Sequence, residues 1–137
     1  MRLVLDTNVV VAALLWSGPP RQLLHAARER RVELFTSTPL LIELGDVLAR
    51  PKFAPRIGAS DQSVEALILG YAALAAVVRP ATIPRVAPDP DDDIVIATAI
   101  AAMAEFVVTG ARALLSVRNH QDFEILDSTS AVAQLPV

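Results

Sequence analysis

Four short apolar runs, Arg2–Leu5, Val32–Thr36, Phe106–Thr109 and Phe123–Leu126, constrain the fold more than any other feature of the chain. In Arg2–Leu5 the apolar residues follow one another instead of alternating with polar ones, the pattern of a strand buried on both faces. Segments of helical periodicity separate the four runs, and strands that alternate with helices pair in parallel. Val77-Val78 adds a brief fifth candidate. The predicted fold is α/β: a three-layer sandwich with a central, mainly parallel sheet of four to five strands flanked by helices.

The helices follow from caps and breakers. A first helix covers Thr7 to Leu15, with Thr7 or Asn8 able to cap it, and the breaker cluster Trp16-Ser17-Gly18-Pro19-Pro20 separates it from a second over Arg21 to Arg30. Ser37 or Thr38 caps a third, with Pro39 near its first position and Leu40, Leu41, Leu44, Val47 and Leu48 on its apolar face. Arg50 to Pro55 reads as an irregular or short helical connection, after which Ser60 or Asp61 caps a long helix through Ala76. Further helices are expected from Asp91 or Asp92 to Met103, over one turn at Ala111 to Leu115, and from Ser128 to about Gln134. Arg118 to Asp122 reads as solvated loop, and His25, among Leu23, Leu24, Ala26 and Ala27, as packing or surface.

A chain of 137 residues with 53% hydrophobic content fits one domain, 1–137. It has no cysteine, which excludes disulfides, thiolate zinc sites and cysteine nucleophiles. Its longest apolar run, Ala66 to Val78, is too short to span a bilayer, and Asp6 and Asn8 interrupt the place where a signal peptide would be apolar. A soluble, cytoplasmic protein is expected. The net charge of −3 argues against a surface coated with nucleic acid, yet eleven of the twelve cations are arginine, whose planar fork suits phosphate. With four Phe, one Tyr and one Trp, a base-stacking platform is not expected.

The chemistry concentrates between Pro88 and Ala97, where Asp89, Asp91, Asp92 and Asp93 run into the apolar Ile94-Val95-Ile96-Ala97. One aspartate there would be an ordinary helix cap, worth about 1 kcal/mol. Four carboxylates in five positions raise one another's pKa unless a cation compensates them, and clusters of oxygen ligands suit hard ions such as Mg²⁺ or Mn²⁺. Asp6 stands at the carboxyl end of the first strand, where open α/β sheets place their ligands, although a turn or capping role explains it equally well in isolation. Glu43 lies among the apolar positions of the third helix. Facing the core it would need a partner or a cation; facing outward it is an ordinary surface acid.

Taken in order, Leu5-Asp6-Thr7-Asn8, Ser37-Thr38-Pro39 leading to Glu43-Leu44, Asp89-Pro90-Asp91-Asp92-Asp93 before Ile96-Ala97, and Val108-Thr109-Gly110 resemble the PIN domain, the nuclease fold of VapC-type toxins in bacterial toxin–antitoxin pairs. The resemblance covers essentially the whole chain. It implies a metal-dependent endoribonuclease, with Mg²⁺ or Mn²⁺ bound by Asp6, Glu43 and Asp93, Asp92 being close enough to serve instead or in addition. It further implies Asn8 and Thr109 in supporting positions, an RNA substrate, a cognate antitoxin and a homodimer. One departure is Ala111, which stands where the family has an acidic residue after Thr-Gly. Natural divergence compensated by Asp122 or Asp92, or a substitution that tames a toxic nuclease, would each account for it. The alternative is a degenerate domain that binds RNA or protein without cutting, distinguished by a failure to bind Mn²⁺ at millimolar concentration. An aspartyl phosphotransferase with Asp6 as nucleophile is disfavoured, since position 8 is Asn and not the second aspartate such enzymes use.

Overall fold

A computed structural model describes residues 1–84, 90–120 and 123–136. Its sheet contains β1 (Arg2–Leu5), β2 (Glu33–Thr36), β3 (Ala76–Val77), β4 (Phe106–Val108), β5 (Asn119–His120) and β6 (Phe123–Leu126), in the order β3-β2-β1-β4-β6-β5. Five of the six are parallel, and β5 runs antiparallel to β6 at the edge. The predicted mainly parallel sheet is therefore present, with one strand more than expected. Asn119–His120, read as loop, forms this strand because the hairpin into Phe123 supplies backbone partners that no periodicity announces.

The helices are α1 (Thr7–Leu15), α2 (Pro19–Arg28), α3 (Thr38–Leu48), α4 (Ala54–Ala59), α5 (Val64–Leu74), α6 (Pro90–Ala102), α7 (Arg112–Leu115) and α8 (Ser128–Ala133), with a 3₁₀ turn at Pro51–Phe53. Three helix starts moved for local reasons. The helix expected from Ser60 starts instead after Ser63, whose Oγ accepts from the Ala66 N–H at 3.1 Å, because Asp61 adopts φ of 59° and breaks the preceding turn. Pro19 and Pro90 open α2 and α6, where a missing N–H costs nothing.

Strand alternation divides the core between the two faces. Leu3, Leu5, Leu34 and Val108 join Val10, Leu23, Leu24, Leu44 and Leu67 on the face covered by α1, α2, α3, α5 and α8. Val4, Phe35, Val107 and Ile125 pack on the other with Val95, Ile96 and Ala99 of α6 and Leu114 of α7. The result is the three-layer sandwich that the apolar runs implied.

The carboxyl end of α1 is closed unusually well. Arg21 donates to the Ala13 and Leu14 carbonyls at 3.1 and 3.0 Å, Arg56 donates to Leu15 at 2.8 Å, and the Trp16 N–H reaches Ala12 at 2.9 Å. All four terminal carbonyls are thus satisfied, two of the groups doing so being cations at the negative end of the helix dipole. Among the described residues, no helix is long and apolar enough to cross a membrane.

Candidate functional site

The chain leaves β1 toward β2 on one side and later returns to place β4 on the other, so the strand order reverses between β1 and β4. A crevice opens outside the carboxyl ends of strands at such a switch point. Asp6 follows β1 and Thr109 follows β4, and both are buried there. The parallel register, which pairs Leu5 with Val108, places these two residues side by side.

Their side chains meet. Thr109 Oγ1 donates to Asp6 Oδ2 at 2.7 Å and accepts from the Ala111 N–H at 3.0 Å, while Asp6 Oδ1 accepts from the Thr7 N–H at 2.8 Å. Because the hydroxyl accepts from Ala111, its own hydrogen is committed to Asp6. The carboxylate is therefore held in one orientation, with lone pairs remaining on each oxygen. Asp6 is also the cap of α1, a position expected for Thr7 or Asn8, so its capping and site roles coincide. Asn8 is exposed in the first turn of α1. Thr7 Oγ1, buried next to Asp6, has no hydrogen-bond partner among the described residues.

The hydroxyl of Thr109 is expected to carry measurable stability. Thr109→Val removes the donor to a buried carboxylate and the acceptor of the Ala111 N–H together, a loss of about 2 kcal/mol, whereas Thr109→Ser keeps both. Urea unfolding of the two variants checks this, and equal midpoints for the Val and Ser proteins would contradict it.

Helix α6 comes to the crevice through its second turn. Thr98 Oγ1 donates to the Ile94 carbonyl at 2.8 Å, so the fully buried Ser37 hydroxyl, 2.9 Å from Thr98 Oγ1, must be the donor to it. That bond pins α6 to the carboxyl end of β2, just where α3 begins. Along α6, positions 92, 95, 96 and 99 share one face. Val95, Ile96 and Ala99 bury that face against Val4 and Val107, while positions 93, 96 and 97 share the adjoining one, where Ile96 and Ala97 are buried as well. Asp93 lines a hollow of about 320 Å³ with Pro39, Pro80, Ile83 and Ala97. Asp92 and Asp93 are both half-buried and both engaged in interactions.

Glu43 is half-buried on α3, one turn beyond Leu40, which packs with Val95 and Ile96. It too has an interaction partner. The two environments left open by the sequence thus resolve to the boundary between them. Ala111 caps α7 by position alone, with extended backbone and no side-chain bond. Asp89 and Asp122, and the side chain of Asp91, lie outside the described residues.

Hydrogen bonds thus join Asp6 to Thr109 and Thr109 to Ala111. Among the described residues, no group of three or more acidic or imidazole side chains could by itself hold a metal ion. The donor chemistry fits a hard cation nonetheless. Every candidate ligand is an oxygen, the Thr7 hydroxyl beside Asp6 is an orphaned oxygen, and Mg²⁺ commonly takes only one or two carboxylates with water and substrate phosphate completing its octahedron. The Ser37–Thr98 clasp and the orphaned Thr7 hydroxyl were not foreseen from sequence. The first joins residues too far apart for any motif to link, and the second depends on burial.

A sequence profile described as the PIN domain matches residues 2–113. Over 124 residues the chain is also 27% identical to an uncharacterized protein of Methanocaldococcus jannaschii, an alignment that covers 90% of this chain and 79% of that protein.

Proposed function

The chain belongs to the PIN domain family, and from that premise we propose that it is a metal-dependent endoribonuclease and the toxin of a toxin–antitoxin pair. PIN domains are generally nucleases, and the observation that carries the reading here is the Asp6–Thr109 pair at the sheet's switch point, next to a helix that begins with consecutive aspartates. The proposed ligands of Mg²⁺ or Mn²⁺ are Asp6, Glu43 and Asp93, with Asp92 close enough in the first turn of α6 to serve instead or in addition.

A divalent ion bound there supplies charge neutralisation at the scissile phosphate and lowers the pKa of the attacking water. The protein's own part is orientation. Thr109 and the Thr7 N–H fix both oxygens of Asp6, so the carboxylate does not need to reorganise when substrate arrives. The Ser37–Thr98 bond fixes the depth at which the acidic first turn of α6 sits over the crevice. RNA as substrate, a cognate antitoxin, a homodimer and a cytoplasmic location belong to the same proposal and rest on the family resemblance.

A catalytically degenerate PIN domain is the second reading, favoured by Ala111 where an acid is expected. Both readings are tested together by Ala111→Asp. Aspartate is a preferred residue at the head of a helix, so the substitution is compatible with the start of α7, and it returns a carboxylate two residues from Thr109. Cleavage of RNA in Mn²⁺ is expected to rise by about 10-fold or more over the parent, in proportion to the usual effect of a supporting metal-site group. If parent and variant are both inert and calorimetry detects no Mn²⁺ binding at millimolar concentration, the nuclease reading fails and the binding module stands.

A further inference from the structure

In the helical layer to which α1 belongs, a cleft of about 220 Å³ opens between α2 and α5. It lies against Ala13 and Leu14 at the far end of α1, about 12 Å along that helix from Asp6. Arg21, His25 and Arg28 line it from one face of α2, at the i, i+4, i+7 spacing that stacks side chains along a helix. Gln62 and Tyr71 line it from the other side, and no carboxylate does. Among the described residues neither Arg21 nor Arg28 has an ion-pair partner: Arg21 is held by the neutral carbonyls of Ala13 and Leu14, which orient its guanidinium without cancelling its charge.

Tyr71 is the second and independent observation. It is 3% exposed, and its hydroxyl, fully removed from solvent, has no hydrogen-bond partner among the described residues. Burial pushes the phenol well above its ordinary range, so the oxygen keeps its proton at any working pH and stands as an unused donor. An orphaned buried hydroxyl costs about 1–3 kcal/mol, a cost removed when an acceptor lodges beside it.

We propose that the cleft between α2 and α5 is a binding site for a phosphate group, held by Arg28, His25 and the free edge of Arg21, with Gln62 and the Tyr71 hydroxyl as neutral donors. Arg21, His25, Arg28, Gln62 and Tyr71 all line this one small space, and arginine forks match phosphate geometry. Gly70, which adds no side chain to the α5 wall, leaves room for more than the bare anion. The phosphate can come from a free mononucleotide or from a strand of RNA. A second hollow shares Arg28 and Leu74 with the first and extends to Arg30, with Glu33 also on its wall, so a further phosphate of a strand would have to lie on the arginine side.

The test uses the full chain in EDTA, so that RNA stays intact, with amide shifts followed by NMR during titration with inorganic phosphate, adenosine 5′-monophosphate, adenosine and a short RNA. Saturable shifts in Arg21–Arg28 and Leu67–Leu74 are expected below about 10 mM with at least one phosphate-bearing probe and absent with adenosine, which corresponds to a millimolar dissociation constant. Arg28→Ala is expected to weaken binding by about 10-fold. Tyr71→Phe should weaken it by about 3-fold while the melting temperature stays level or rises, a combination that a purely structural tyrosine would not produce. Tighter binding of the mononucleotide than of RNA identifies a free nucleotide as the source, and the reverse identifies a strand. If no phosphate-bearing probe saturates these amides, or if Arg28→Ala and Tyr71→Phe leave the isotherms unchanged, the site does not exist. Because no cleavage is measured, failure here leaves the nuclease reading untouched, and failure of that reading leaves the cleft.

Discussion

Asp6→Asn is expected to lower RNA cleavage by more than about 100-fold, above the loss usual for an outer-shell partner of a metal ligand. Stability should change far less. The amide keeps an oxygen to accept from the Thr7 N–H and so preserves the cap of α1, but its NH₂ now faces the Thr109 hydroxyl that had donated to Oδ2. The mismatch costs about 1 kcal/mol. Thermal unfolding combined with cleavage of a labelled RNA in Mn²⁺ separates the two effects. Cleavage at the parental rate by Asp6→Asn would show that the carboxylate is only a helix cap and would remove the foundation of the proposed active site. The comparison is sharpened by Asp92→Asn and Asp93→Asn. Because Ile96 and Ala97 follow Asp93 at the offset the family resemblance implies, the larger loss is expected at position 93.

The second large effect is in the core. Ile96 is fully buried where α6 meets β1 and β4, packed in one cluster with Val4, Val107 and Leu40. Ile96→Ala is expected to destabilise the protein by roughly 2–5 kcal/mol through lost transfer energy and the cavity left behind. For a chain of this size the melting temperature should fall by about 10 °C or more. Activity should suffer at temperatures well below the new midpoint, since this side chain seats the helix whose first turn carries Asp92 and Asp93. A drop under about 1 kcal/mol would mean that the two layers are not locked at this point, and the depth of α6 over the crevice would then need another explanation. The Ser37–Thr98 bond, buried one turn-face away, is the candidate for that role.

How much of the site could be read in advance differs residue by residue. Asp6 was legible because a short apolar run ending in an acid is a strand end, and strand ends in parallel sheets carry function. Asp92 and Asp93 were legible as a pair, since acids running into Ile94-Val95-Ile96 mark the start of a buried helix; the ranking between them was not. Sequence offset favours Asp93, and the structure leaves Asp92 and Asp93 equally half-buried in the first turn of α6. Glu43 stayed balanced between core and surface because its helix is apolar on more than one side, and only the packing of Leu40 against α6 fixes its half-buried position. Tyr71 falls with Val64, Leu67, Ile68, Leu74 and Ala75 on the core-facing side of the helix expected through Ala76. That its ring would be buried followed from periodicity, but that its hydroxyl would lack a partner did not.

By itself the sequence determined the alternation of strands and helices, hence a parallel sheet sandwiched between helical layers, and the positions at which acids meet strand ends and helix starts. Those features depend on apolar spacing, caps and breakers, all of which act within about a dozen residues. Only the tertiary structure decided that β4 returns beside β1 and not beside β3, and with it that Thr109 would clamp a carboxylate 103 residues earlier and Ser37 a hydroxyl 61 residues later. It also decided that the cations of α2 would face a buried tyrosine across a cleft. The physical reason is that strand order and cross-chain hydrogen bonds are settled by how whole faces bury against one another, a competition among distant surfaces that no local pattern encodes.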